Sequence, residues 1–141
     1  MADLSNLDDL LEEYTFHPPK SDDRYRMLIE LGGRLEPMPS ALKTDATKVR
    51  GCASSVWLYP PPSARNGVLH FLADSDSAFT KGVVALVLAT IQDKPAYEIA
   101  HTDIAELLAP FGLEKDFSAD RTRGVPNMIE KIKETAQRLA A

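Results

Sequence analysis

Cys52 is the only cysteine in the chain. It lies in the run Arg50-Gly51-Cys52-Ala53-Ser54-Ser55-Val56-Trp57. One cysteine closes no internal disulfide and builds no cysteine-only metal site, so it is either an inert buried thiol or a working nucleophile. Its neighbours favour the second. Gly51 opens backbone conformations closed to other residues, and a serine pair follows. That pattern describes an exposed turn entering a strand, where core cysteines instead sit within an apolar period. Lys48 and Arg50 stand just before it, and nearby positive charge favours the thiolate, which is the nucleophile.

The remaining reactive side chains are weaker candidates. A Cys–His hydrolase needs a base within hydrogen-bond reach and a third group to orient it. The histidines are His17, His70 and His101. His70 alternates within a strand-like run and is the one expected to face the Cys52 region, although a half-buried strand histidine is more often structural. Three scattered histidines and one cysteine have no metal-ligand spacing, and no phosphate-binding glycine loop is present. Asp74 and Asp76 suggest an acid–base couple, but on a strand-to-helix turn they read better as helix caps. Arg121 and Arg123 precede Gly124. They are either solvated loop arginines or partners for an anion or thiolate, and the sequence leaves the two readings open.

The elements that must position these residues follow from spacing. Residues 4–14 carry Leu4, Leu7, Leu10, Leu11 and Tyr14 at helical spacing, with Asp8, Asp9, Glu12 and Glu13 forming an acidic face read as solvated. Residues 22–35 give a second helix with Tyr25, Leu28, Ile29 and Leu35 on one face. Residues 40–50 lead to Cys52 as a loop or short edge strand. Val56-Trp57-Leu58-Tyr59 and Val68-Leu69-His70-Phe71-Leu72-Ala73 predict a hairpin, joined through three prolines and the Asn66-Gly67 turn signal. An apolar central helix spans 77–92, with a close-packing reason expected for its internal Gly82. Helical stretches open at Pro95 and Asp103, Gly112 reads as a C-cap, and a last amphipathic helix runs from about Gly124 to Leu139. Two helices, a small antiparallel sheet of about three strands, then several helices make an α+β fold in a single domain over residues 1–141.

Bulk properties exclude several classes. The net charge of −5 gives the whole fold no attraction for nucleic acid. The most apolar run, Val83 to Ile91, is too short for a bilayer span of about 20 residues. Single-cysteine usage points to a reducing compartment, and the first residues show no basic segment followed by an apolar one. A cytoplasmic location without membrane association is expected.

Four blocks together resemble the SufE family of sulfur-acceptor proteins over roughly residues 20–140. They are Arg24 to Gly32, Val49 to Leu58 around Cys52, Leu72 to Ala78 followed by Lys81-Gly82, and Arg121 with Gly124. The cysteine block is the most specific. The resemblance implies a small antiparallel sheet with helices around it, similar to the iron–sulfur scaffold protein IscU. It also implies a function: taking persulfide sulfur from a pyridoxal-phosphate cysteine desulfurase of the SufS or CsdA kind, stimulating that enzyme, and passing sulfur to iron–sulfur cluster assembly. Cys52 would be the acceptor and Arg121 a stabiliser of its thiolate or persulfide. No cofactor on the acceptor is implied, and a homodimer stays open. Ala53 and Ser55 depart from the glutamines frequent in the family, and Ala119-Asp120 stands where Pro-Ser is common. Two other readings remain: a docking module in which Cys52 is incidental, and an independent Cys–His hydrolase using His70.

Overall fold

The computed structural model describes residues 6–60 and 67–140. Leu4 and most of the expected proline-rich turn, including Asn66, lie outside the described residues. The chain opens with two capped helices. Helix α1 (Leu7–Phe16) starts where the Asn6 side chain accepts from the Asp9 N–H, and α2 (Asp22–Gly32) where Ser21 accepts from the Arg24 N–H. Asp22 and Asp23 occupy the first turn of α2, where negative charge meets the positive end of the helix dipole. The buried face of α2 carries Arg24, Met27, Leu28 and Leu31, while Tyr25, Ile29 and Leu35 are only partly covered. The expected face is thus rotated by about one residue.

The α+β architecture is as expected, and its strands are arranged differently. Strand β1 (Val56–Tyr59) pairs antiparallel with β3 (Leu72–Ser75), from Val56 opposite Ser75 to Tyr59 opposite Leu72. The segment before Cys52 flanks the other edge of β1: the Val49 N–H donates to the Val56 carbonyl and the Leu58 N–H to the Thr47 carbonyl, both at 2.8 Å. Residues 40–50, expected as a loop or short edge strand, are thus a loop with a single bridge, Lys48 to Trp57, on that edge. The expected return strand, however, divides. Strand β2 (Val68–Leu69) pairs with β4 (Lys94–Pro95) rather than with β1. The break has a visible cause. The Gln92 side-chain amide takes both backbone groups of Phe71, donating to its carbonyl and accepting from its N–H at 2.8 Å each, so Phe71 leaves the ladder with its hydrogen bonds satisfied.

Helix α3 (Ala78–Ala89) is capped by Ser77, and every residue from Val83 to Leu88 is buried. It is the centre of the fold. Gly82 provides the foreseen close approach. A Cβ there would overlap the carbonyl of Leu28, and one on Gly32 would come within 2.7 Å of the Gly82 nitrogen. The backbones of α2 and α3 therefore touch. The second half of the chain winds through α4 (Ala96–Ala100), α5 (Ile104–Leu108), a 3-10 turn ending at Phe111, α6 (Leu113–Asp116) and α7 (Ala119–Thr122). Gly112 holds φ at 62°, the left-handed geometry expected of a C-cap. The final helix α8 (Val125–Ala140) buries Met128, Ile132 and Ala136, with Val125, Ile129 and Leu139 packed at the edge of the core. That is the predicted face.

Candidate functional site

Cys52 is half-buried on the wall of a cavity of about 270 Å³. Four parts of the chain build it. The loop itself brings Cys52, Ala53 and Ser54; α2 brings Tyr25; the start of α3 brings Phe79 and Thr80; and the passage from α7 to α8 brings Arg121, Gly124 and Met128. Gly124 is pressed against the thiol, so that a Cβ at this position would overlap Sγ. This explains in steric terms why a glycine must open the last helix.

The loop is held at both ends. On its C-terminal side, the Ser55 N–H donates to the Asp76 carboxylate at 3.1 Å, and the Ser55 carbonyl accepts from the Asp76 N–H and from the Ser75 hydroxyl at 3.2 and 2.7 Å. On its N-terminal side, Asn127 Nδ2 donates to the Arg50 carbonyl at 2.7 Å. Gly51 sits between, at φ 81°.

Arg121 lines the same cavity as the thiol. Its guanidinium carbon is 5.2 Å from the centroid of Phe79 and 5.7 Å from that of Tyr25. These two rings stack at 5.5 Å, and Phe117 closes the group edge-on to Phe79 at 4.7 Å. Cation–π contact with stacked rings fixes a long, flexible side chain without cancelling its charge.

The electrostatics differ from the expectation built on Lys48 and Arg50. Burial pushes the Cys52 thiol above its ordinary range, and the opposing charge comes from Arg123, which offsets only part of the effect. Arg123 itself faces Asp120 at 3.6 Å. At rest Cys52 is therefore mainly the thiol, because removing the sulfur from water outweighs the nearby cation.

Other expected groups lie elsewhere. None of the three histidines lines the cavity of Cys52. His70 meets Asp93 at 2.8 Å through Nδ1 and Glu36 at 3.4 Å through Nε2, on the rim of a separate cavity of about 570 Å³. The reading of His70 as a base for Cys52 fails on this geometry, because the strand break at Phe71 separates β2 from the sheet beside Cys52. Asp74 and Asp76 are not helix caps either, since Ser77 fills that position. Asp74 binds Lys43 at 2.6 Å and Lys81 at 3.4 Å. Burial pushes its carboxyl up, but Lys43, the Ser75 N–H and Lys81 together hold it below the usual range. Asp76 anchors the cysteine loop. Among the described residues no three His, Cys, Asp or Glu side chains gather in a way that could hold a metal ion.

Sequence reading misses Asn127 as a loop anchor and Phe117 in the aromatic group; it singles out Asp76, but as a cap rather than an anchor, and it names Arg123 beside Arg121 as a candidate partner for the thiolate. Neither carries a local signal: Asn127 shows as an anchor only once the fold turns that face of α8 to the cysteine loop.

A one-cysteine cavity closed by a glycine and an arginine on aromatic rings is the arrangement on which the family comparison bears. The family model described as SufE, Fe-S metabolism associated domain, matches residues 8–136. The chain belongs to the SufE family. Membership extends beyond the blocks that first suggested it, into α1. An uncharacterized SufE-like protein of Rhizobium etli is 39% identical over 140 residues, covering 98% of this chain and 94% of the relative. A second, from Rhizobium meliloti, is 37% identical over 136 residues, covering 95% and 96%. The sulfur acceptor protein CsdE of Escherichia coli K12 is 35% identical over 119 residues, covering 84% of this chain and 80% of CsdE. The solution structure of a hypothetical protein from Thermus thermophilus superposes with a TM-score of 0.74 over 99% of this chain and 98% of that one. At 15% identity that match speaks for the fold alone. Among the described residues no helix is long and apolar enough to cross a membrane.

Proposed function

We propose that this SufE-family protein accepts sulfane sulfur on Cys52 from the persulfide of a pyridoxal-phosphate cysteine desulfurase, stimulates that enzyme, and passes the sulfur on to iron–sulfur cluster assembly in the cytoplasm. The observation that carries this reading is the pairing, in one cavity of about 270 Å³, of a half-buried thiol with Arg121. The family membership and the likeness to a protein named as a sulfur acceptor support it.

The chemistry uses one sulfur at each end. The Cys52 thiolate attacks the outer sulfur of the donor Cys–S–SH. A bond forms between Cys52 Sγ and that sulfur, the donor S–S bond breaks, and the donor cysteine leaves as a thiolate. The proton on the transferred sulfur travels with it, and no external oxidant or reductant enters. The product, Cys52–S–SH, ionises more readily than a thiol, and its anion lies where Arg121 can face it. Half-burial of the sulfur against Gly124 limits access by reducing thiols. The resting thiol is protonated by burial, so reaction requires the loop to present Cys52 outward when the donor docks, and docking thereby supplies both access and ionisation.

Incubation with a cysteine desulfurase and free cysteine should add the mass of one sulfur atom to the intact protein, located at Cys52. The Cys52→Ser variant should neither gain that mass nor stimulate the desulfurase. Full stimulation by Cys52→Ser would sink the acceptor role in favour of activation by docking alone.

A further inference from the structure

The N-terminal anchor of the cysteine loop is made by an exposed residue of α8, and three observations converge on it. Asn127 Nδ2 donates to the Arg50 carbonyl at 2.7 Å, two residues before the thiol. The same amide nitrogen occupies the space over Gly51, where any Cβ would overlap it. One turn further along the same helix face, Lys131 Nζ donates to the Ala46 carbonyl at 3.1 Å. Two side chains spaced i and i+4 thus bind two carbonyls of the segment leading to Cys52. Of the two, only Asn127 reaches the loop itself.

The position of Cys52 gives this bond a consequence. The residue borders the inner cavity beside Arg121 and also a second concavity of about 550 Å³ on the outer side of the loop, lined by Lys48, Arg50 and Ser54 among others. The loop is therefore a thin wall between a sheltered site and an open one. Its C-terminal end is fastened by three hydrogen bonds to Ser75 and Asp76, whereas its N-terminal end next to Gly51 depends on the Asn127 amide. The geometry points to Asn127 as a positioning residue: its carboxamide is the latch that keeps Cys52 turned into the cavity, and release of that one bond lets the loop pivot at Gly51 and swing the thiol outward. Asn127 touches neither the sulfur nor a substrate and acts only through the loop.

The experiment is alkylation of Cys52 in the full chain by iodoacetamide, followed by intact mass as a function of pH. Asn127→Leu keeps the bulk of the side chain and removes the donor; Asn127→Ala removes both. Both should alkylate about fivefold faster than wild type at neutral pH, the weight of one net hydrogen bond in the opening equilibrium. In both, the pH midpoint should move down toward that of free cysteine, because an open thiol regains water. Melting temperatures should fall by only a few degrees, the same loss set against the unfolded chain. Lys131→Met, which cuts only the bond to Ala46, should alkylate like wild type. An unchanged rate and midpoint in Asn127→Leu overturns the latch, and so does an equal acceleration in Lys131→Met.

The bearing on sulfur transfer rests on the function proposed above, and the two fail separately. Faster alkylation without faster sulfur uptake from a desulfurase keeps the latch and counts against the acceptor reading. Unchanged alkylation with normal uptake does the reverse.

Discussion

At the scale of single residues, the site is governed by a contest between burial and charge at one sulfur. Burial raises the Cys52 pKa and Arg123 opposes it in part. The two arginines at the end of α7 therefore divide their work. Arg123 acts on the thiol through space, while Arg121, although exposed, is held on Phe79 and Tyr25 at the cavity wall. Removing the opposing cation should leave burial unchecked. Arg123→Ala should shift the pH profile of Cys52 alkylation upward and slow alkylation at neutral pH severalfold. The melting temperature should not change, because the ion pair of Arg123 with Asp120 lies on the surface. A profile identical to wild type would mean that Arg123 does not sense the thiol. This distinction was not legible in the sequence. Cys52, Gly124, Arg121 and Arg123 stood out by type and neighbourhood, but which arginine acts on the thiol depends on where each guanidinium comes to rest. Lys48 and Arg50, near neighbours in sequence, have less influence than Arg123, which lies in the last third of the chain.

At the scale of elements, the helices were readable and the sheet was not. Amphipathic spacing fixes α1 and α8, and the apolar run fixes α3, because each pattern repeats over several turns. The strands are only two to four residues long, and their pairing is decided by one side chain distant in sequence, Gln92, which draws Phe71 out of the ladder. No local pattern encodes that. Gly82 is the opposite case. Its presence in a buried helix is costly by about 1 kcal/mol relative to Ala, and the structure supplies the reason in the Leu28 carbonyl against which it packs. Gly82→Ala should therefore not stabilise the protein. A backbone carbonyl cannot rotate aside as a side chain can, so α2 and α3 must part, and the variant should lose about 2 kcal/mol or more in urea denaturation. A gain near the helix-propensity value would show that the two helices separate freely. Tyr25 on α2 and Phe79 on α3 form the seat of Arg121, so the same shift should disturb the cavity.

At the scale of the whole molecule, one buried ion pair joins parts of the chain that share no sheet. Asp116, at the end of α6, meets Arg24 of α2 at 2.8 Å with side-chain exposures of 1% and 9%. The same carboxylate accepts from the Tyr14 hydroxyl of α1 at 2.7 Å and from the Lys20 N–H at 2.9 Å, and Arg24 also donates to the His17 carbonyl. Burial pushes Asp116 up, but the hydrogen bonds from Tyr14, Arg24 and Lys20 and the Arg24 charge outweigh it, and its pKa lies below the ordinary 3.8. The sign of the pH effect follows. A carboxyl whose folded pKa is depressed stabilises fully above its unfolded value and loses that contribution as pH falls through the folded one. Wild type should lose stability progressively below about pH 4. Asp116→Asn should lack the part of that acid slope due to this carboxyl. At neutral pH the variant leaves the Arg24 charge buried without its partner, a change worth about 3–5 kcal/mol. The network also adjoins the site, since Tyr25, next after Arg24, seats Arg121, and Phe117, next after Asp116, packs against Tyr25. Urea denaturation of both proteins at neutral pH and near pH 3 measures the effect. The gap between them should be wide at neutral pH and should narrow in acid, where the carboxyl of the unfolded chain takes up a proton before the folded one does. A gap of the same size at both pH values would show that the carboxylate charge is not what holds α1, α2 and α6 together.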